Sequence, residues 1–183
     1  MNLLILGIII FFSIHLVPIS PLKKILINRL GKNKYKGFYS LIALVGLLII
    51  IYGFGHADFH PVWDHLPYSR EIALVLMPIS MVLLAAANVQ TNIKRFIKHP
   101  MLIGILIWSF VHLLANGDLR SIILFASFGV YALIDIIFSK KVLTTNIAAN
   151  YTLSKDIMVI IIGLVVYFIV VYFHQFIAGV TIF

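Results

Sequence analysis

The chain has 183 residues, of which 62% are apolar or aromatic and only 11% are charged, against roughly 45–50% and about 25% in ordinary globular domains. That is too little polar surface to clothe a soluble fold, so the composition excludes a soluble domain and marks an integral membrane protein. Fourteen Lys and Arg against six Asp and Glu give a net charge of +8, which in a membrane chain reflects cationic loops retained in the cytoplasm and not a nucleic-acid partner; the lack of cysteine excludes disulfides, thiolate-bound cofactors and cysteine nucleophiles.

A membrane-spanning helix needs ~20 mainly apolar residues. Six segments meet or approach this: Met1 to Ile19, Phe38 to Phe54, Glu71 to Val89, Pro100 to Ala115, Ser121 to Phe138 and Ile157 to Val180. They predict an all-α polytopic bundle of about six transmembrane helices, forming one transmembrane domain over residues 1–183. The first segment has no basic leader and no small-x-small cleavage site, so it reads as an uncleaved span. The fourth is short, and Ile93–Ile97 before it reads as an interfacial turn.

Basic residues orient the chain. Lys23, Lys24, Arg29, Lys32, Lys34, Lys36, Lys94, Arg95, Lys98, Lys140, Lys141 and Lys155 fall on one side, and only Arg70 and Arg120 on the other. The asymmetry predicts both termini outside and three basic loops in the cytoplasm.

Ionisable groups within spans are costly and are functional candidates by default. These are His15, His112, Asp135 and His174, with His99 at the inner mouth of the fourth helix. His56, His60 and His65 share an outer loop with Asp58 and Asp64, but Pro61 and Pro67 break any helical register and the spacing matches no ligand motif, so a polar surface loop is the plainer reading. Trp63 and Tyr68 suit interfacial anchors. Pro100 suits the first position of a helix. Asn116-Gly117-Asp118 suits a tight turn, with Gly117 at positive φ and Asp118 capping the next helix; Asn116 or Asp118 could also fold back to orient His112. His15 and His112 stand in aliphatic sequence, where each needs either an interhelical hydrogen bond or a metal. By depth His15 pairs as well with His99, and His112 with His174, so the pairing stays open.

The segments RLGKNKYKGFYS from Arg29, NIKRFIKHPMLIG from Asn92 and WSFVHLLANGDLRSIILF from Trp108, with Phe173-His174 near the end, resemble the NnrU family of bacterial membrane proteins over nearly the whole chain. That resemblance implies a bacterial inner-membrane location and a link to nitric oxide and nitrite metabolism. The family is similar in turn to plant zeta-carotene isomerase, a bis-histidine haem b enzyme. This likeness implies haem b with His15 and His112 as axial ligands, supported by His99, Arg95, Asn116 and Asp118, and an isoprenoid, polyene or nitric oxide partner within the lipid. Redox or isomerase-like activity and a non-enzymatic sensor or electron carrier are both compatible with it. The isomerase's alternative thiolate ligand falls on Ser109, which cannot replace it.

A weaker likeness joins Lys98-His99-Pro100 and Gly104 to isoprenylcysteine and phospholipid methyltransferases, which bind S-adenosylmethionine beside such a motif. Those enzymes carry acidic and arginine residues after their last helices. No acidic residue follows Asp156 here.

Overall fold

The computed structural model describes residues 1–138, 151–179 and 182. Lys140, Lys141 and Val180, assigned above to the third basic loop and the end of the last span, lie outside the described residues. The described chain forms helices α1 (Asn2–Leu16), α2 (Leu22–Leu30), α3 (Lys32–Gly55), α4 (Ser69–Ala86), α5 (Asn92–Phe96), α6 (Pro100–Ala115), α7 (Leu119–Phe138) and α8 (Leu153–Ala178), with a short 3₁₀ turn after α1 at Val17–Ile19. Among the described residues five stretches of 18 to 24 residues are long and apolar enough to cross a bilayer: Asn2–Ile19, Lys32–Gly55, Ser69–Ala86, Leu119–Phe138 and Leu153–Phe176. The chain is a helical membrane protein.

Of the six expected spans, the fourth falls short of that length. Its helix α6 has 16 residues, about 24 Å at 1.5 Å per residue. Ile97 leaves the helical region at φ −105, ψ 104, and Pro100 disfavours helix in the residue before it. Residues Asn92–Phe96 therefore form a separate helix instead of lengthening α6.

The helices divide into two compact units, Met1–Asp64 with Asn116–Lys140, and His65–Ala115 with Lys141–Phe183. In unit 1, α1 and α3 run antiparallel, with α7 against α1 and α2 against α3. Lipid is as apolar as a leucine side chain, so membrane helices associate by close packing more than by apolar burial. Three glycines provide it. A Cβ on Gly7 would stand 2.6 Å from the Ile50 nitrogen, on Gly46 2.8 Å from that of Phe11, and on Gly53 2.5 Å from that of Leu4.

In unit 2, α4 packs against both α6 and α8. Gly104 lies against the Ser80 carbonyl, and the buried Ser80 hydroxyl donates back to the Gly104 carbonyl at 2.8 Å. Gly163 lies against the backbone of Val82. The buried residues Asp156, Val159, Gly163 and Tyr167 make one stripe along α8, spaced as one face of a helix. Thr91 caps α5 through Lys94 N–H. Asn92 then ties α5 to α8, its backbone N–H donating to Asp156 Oδ1 at 2.8 Å and its Nδ2 to Oδ2 at 2.6 Å.

Candidate functional site

His15 sits in the last turn of α1. Its Nδ1 donates to the carbonyl of Phe11, four residues back, at 2.6 Å. A carbonyl only accepts, so the proton of a neutral ring resides on Nδ1 and Nε2 keeps its lone pair. Aromatic rings from three helices fix the ring. Phe11 stacks on it at 4.0 Å, while Tyr39 of α3 and Tyr131 of α7 meet it edge-on at 5.5 and 5.8 Å. Tyr131 also stacks on Phe12 at 5.0 Å. Its hydroxyl donates to Asp135 Oδ2 at 3.1 Å, so the span carboxylate singled out from the sequence is held one turn along its own helix. The i, i+4 spacing of Tyr131 and Asp135 was available in the sequence; the approach of Tyr39 and Tyr131 to His15 depends on tertiary packing.

His112, in unit 2, repeats the arrangement. Its Nδ1 donates to the Trp108 carbonyl at 2.7 Å, with the Trp108 ring at 5.0 Å. The Nδ1 of His112 is thus held within its own helix. His174 of α8 lies within electrostatic range of it. His99 is buried at the start of the same helix, where its carbonyl accepts from Ile103 N–H at 3.0 Å. Pro100 opens α6. Arg95 packs its guanidinium against the neighbouring Phe96 ring at 5.6 Å.

The turn before α7 is built by close approach. Asp118 is buried and accepts from Ser121 N–H at 3.1 Å, capping α7. Gly117 does not take the positive φ expected of it; among the described glycines only Gly31 and Gly179 do. Its lack of a side chain serves another end, since a Cβ there would overlap the Trp63 carbonyl. The Gly117 carbonyl accepts from Val62 N–H at 2.8 Å and Trp63 N–H at 3.1 Å. Beside it Arg120 donates to the carbonyls of Phe54 and Ala57 at 3.4 and 3.1 Å, and lies 3.4 Å from Asp118 Oδ1. Its guanidinium covers the Phe54 ring at 5.0 Å. A cation over the carbonyl end of α3 satisfies both the open acceptors and the helix dipole. The sequence assigned Arg120 only to a side of the membrane.

Among the described residues no group of three or more His, Cys, Asp or Glu converges as a metal site. His56 Nδ1 donates to the Tyr52 carbonyl at 2.8 Å, and the His60 carbonyl accepts from Leu119 N–H at 2.9 Å.

No curated protein and no solved structure matches the chain. The family model described as NnrU protein matches residues 3–182, nearly the whole length. The chain belongs to the NnrU protein family.

Proposed function

We propose that this NnrU protein binds haem b non-covalently through imidazole Nε2 atoms, with His15 and His112 as the candidate iron-holding residues and His174 or His99 as a replacement for either. The observation that carries the reading is the hydrogen bonding of His15. Its Nδ1 is committed to the Phe11 carbonyl, and no described side chain donates to Nε2. A span offers little water to such a lone pair, and a metal answers it. A ring nitrogen held by a carbonyl is also how ligating histidines are usually oriented and made more basic. His56 makes the same bond from the exposed end of α3, so the bond alone does not select a ligand; the bond inside an apolar span does.

The donor set suits haem iron. Two neutral imidazoles satisfy a bis-histidine centre, whereas the described residues offer no three-ligand cluster for zinc or copper. A bound haem would supply one-electron redox chemistry and affinity for a diatomic gas. The residues of this chain would hold the iron and pack aromatic rings around it. This fits a role in nitrogen-oxide metabolism at a bacterial inner membrane, as sensor, electron carrier or redox enzyme.

The test is an absorption spectrum of the purified protein, oxidised and then reduced, after expression with ample haem. A Soret band that sharpens and shifts on reduction, and is altered in His15→Ala and His112→Ala, is expected. No Soret band removes the cofactor. A spectrum unchanged in both variants removes the ligands.

A further inference from the structure

The cationic segment between the first two spans is unexplained by any haem chemistry. Lys23, Lys24, Arg29, Lys32, Lys34 and Lys36 are all exposed, and the first acidic residue of the chain is Asp58. Among the described residues none of the six forms an ion pair. Their placement follows from helix lengths. The 24 residues of α3 extend ~36 Å, longer than the ~30 Å hydrocarbon core, so its lysine-bearing first turn stands at the membrane face. Gly31, at φ +78, is the one residue between α3 and α2. With nine residues, α2 is ~14 Å long and cannot span. It begins and ends at that face.

The two sides of α2 differ. Leu22, Leu26 and Leu30, with Ile25, lie along one stripe by their i, i+3 and i+4 spacing, with Arg29 inside the same stripe, and Lys24 and Asn28 lie along another. Leu22, Ile25 and Leu30 are 53, 47 and 39% exposed, and no residue of α2 is buried. A short helix with bare leucines on one stripe and unpaired cations beside them matches the interface of hydrocarbon with anionic headgroups.

We propose that α2 and the first turn of α3 form an in-plane anchor that binds anionic phospholipid headgroups, with the leucine stripe in the acyl region, Lys23, Lys24 and the α3 lysines on the phosphates, and Arg29 reaching them from the stripe along its aliphatic stem. A nucleic acid would match the charge but would leave Leu22, Ile25 and Leu30 in water.

The natural chain has no cysteine, so Leu22→Cys and Asn28→Cys variants each accept a single environment-sensitive fluorophore. In vesicles of phosphatidylcholine with phosphatidylglycerol, a lipid-borne quencher should reach the label at position 22 more than that at 28. The detergent-purified protein, examined by native mass spectrometry, should retain phosphatidylglycerol over phosphatidylcholine, and added salt should weaken the preference. Each cation neutralised among Lys23→Gln, Lys24→Gln and Arg29→Gln should reduce it roughly fivefold at low salt. Equal quenching at the two positions overturns the proposal. So does equal retention of the two lipids by the unsubstituted protein, or displacement of phosphatidylglycerol by a DNA duplex.

Discussion

The glycine seam of unit 1 makes a quantitative prediction. A Cβ on Gly53 would approach the Leu4 nitrogen to 2.5 Å and its Cα to 2.8 Å, against about 3.4 Å for ordinary contact. Both neighbours are backbone atoms, so no side chain can rotate away. Gly53→Ala must move α1 and α3 apart by nearly 1 Å at that level. A gap of 0.5–1 Å forfeits roughly a quarter to a half of each dispersion contact it opens, and overpacking of this kind costs about 1–3 kcal/mol. The apparent Tm of the detergent-solubilised protein should fall by about 2–12 °C, taking ~2–4 °C per kcal/mol. Gly37 supplies the control: it lies in the same helix with nothing within 4 Å of its Cβ position. Gly37→Ala should leave stability unchanged or raise it by up to ~1 kcal/mol, since alanine loses less backbone freedom. Circular dichroism melts of the two variants check the difference. If Gly53→Ala melts together with Gly37→Ala, the glycines do not set the approach of α1 to α3. The double variant Gly46→Ala, Gly53→Ala should cost about the sum of the two singles, because the two methyls press on α1 ~10 Å apart, at different levels of the seam.

Gly117→Ala should destabilise the turn before α7 by displacing the Trp63 carbonyl, read as faster protease cleavage of the 56–68 loop relative to Gly37→Ala. Asp156→Asn turns one acceptor of the α5–α8 clamp into a donor facing a donor and should cost about 1–3 kcal/mol in thermal melts; the exchanged pair Asn92→Asp, Asp156→Asn restores a complementary set and should recover part of the loss. Single cysteines in Lys34→Cys and Asp64→Cys should be labelled by impermeant maleimide from opposite sides of the membrane, with Asp64→Cys on the outer side, and labelling of both from one side would refute the orientation.

What was legible in the sequence was what the bilayer demands of every residue. Hydrocarbon tolerates only internally bonded helix, so the apolar runs marked the spanning helices, whereas the basic residues read as loops stand mostly on helical backbone in α2, the start of α3 and α5. His15, His112 and Asp135 stood out because their surroundings were apolar. The rest depended on distant neighbours. Gly117 was read through its own φ, yet its role is set by Trp63, more than fifty positions away, whose carbonyl would overlap a Cβ at that point. The division into two units was equally hidden, because an apolar run does not say which face another helix will touch. The small residues do carry that information: Gly46 and Gly53 are two turns apart on one face, and Gly163 occupies the single stripe by which α8 meets α4. Arg120 shows the limit of charge counting. It was placed on a side of the membrane, whereas its guanidinium closes the carbonyl end of α3.

The same seam also reaches the imidazole. Phe11 serves three purposes: its carbonyl holds Nδ1 of His15, its ring stacks on the imidazole, and its backbone is what a Cβ on Gly46 would strike, at 2.8 Å from its nitrogen and 2.9 Å from its Cα. Gly53, two turns along α3, meets Leu4 instead, near the opposite end of α1. The two substitutions therefore load the same helix pair at different levels. Gly46→Ala pushes directly on the residue that orients His15, while Gly53→Ala pushes eleven residues away from it. In selectively ¹⁵N-histidine-labelled protein, with the His15 signal assigned from His15→Ala, Gly46→Ala should shift the His15 ring resonances and Gly53→Ala should leave them nearly in place, even though Gly53→Ala has the shorter clash and the larger expected loss of Tm. Equal shifts in the two variants would mean that α1 moves as a rigid rod and that Phe11 has no separate hold on the ring. A shift confined to Gly46→Ala would tie the tautomer of His15 to helix packing one turn away, with stability and ring orientation responding to different glycines of the same seam.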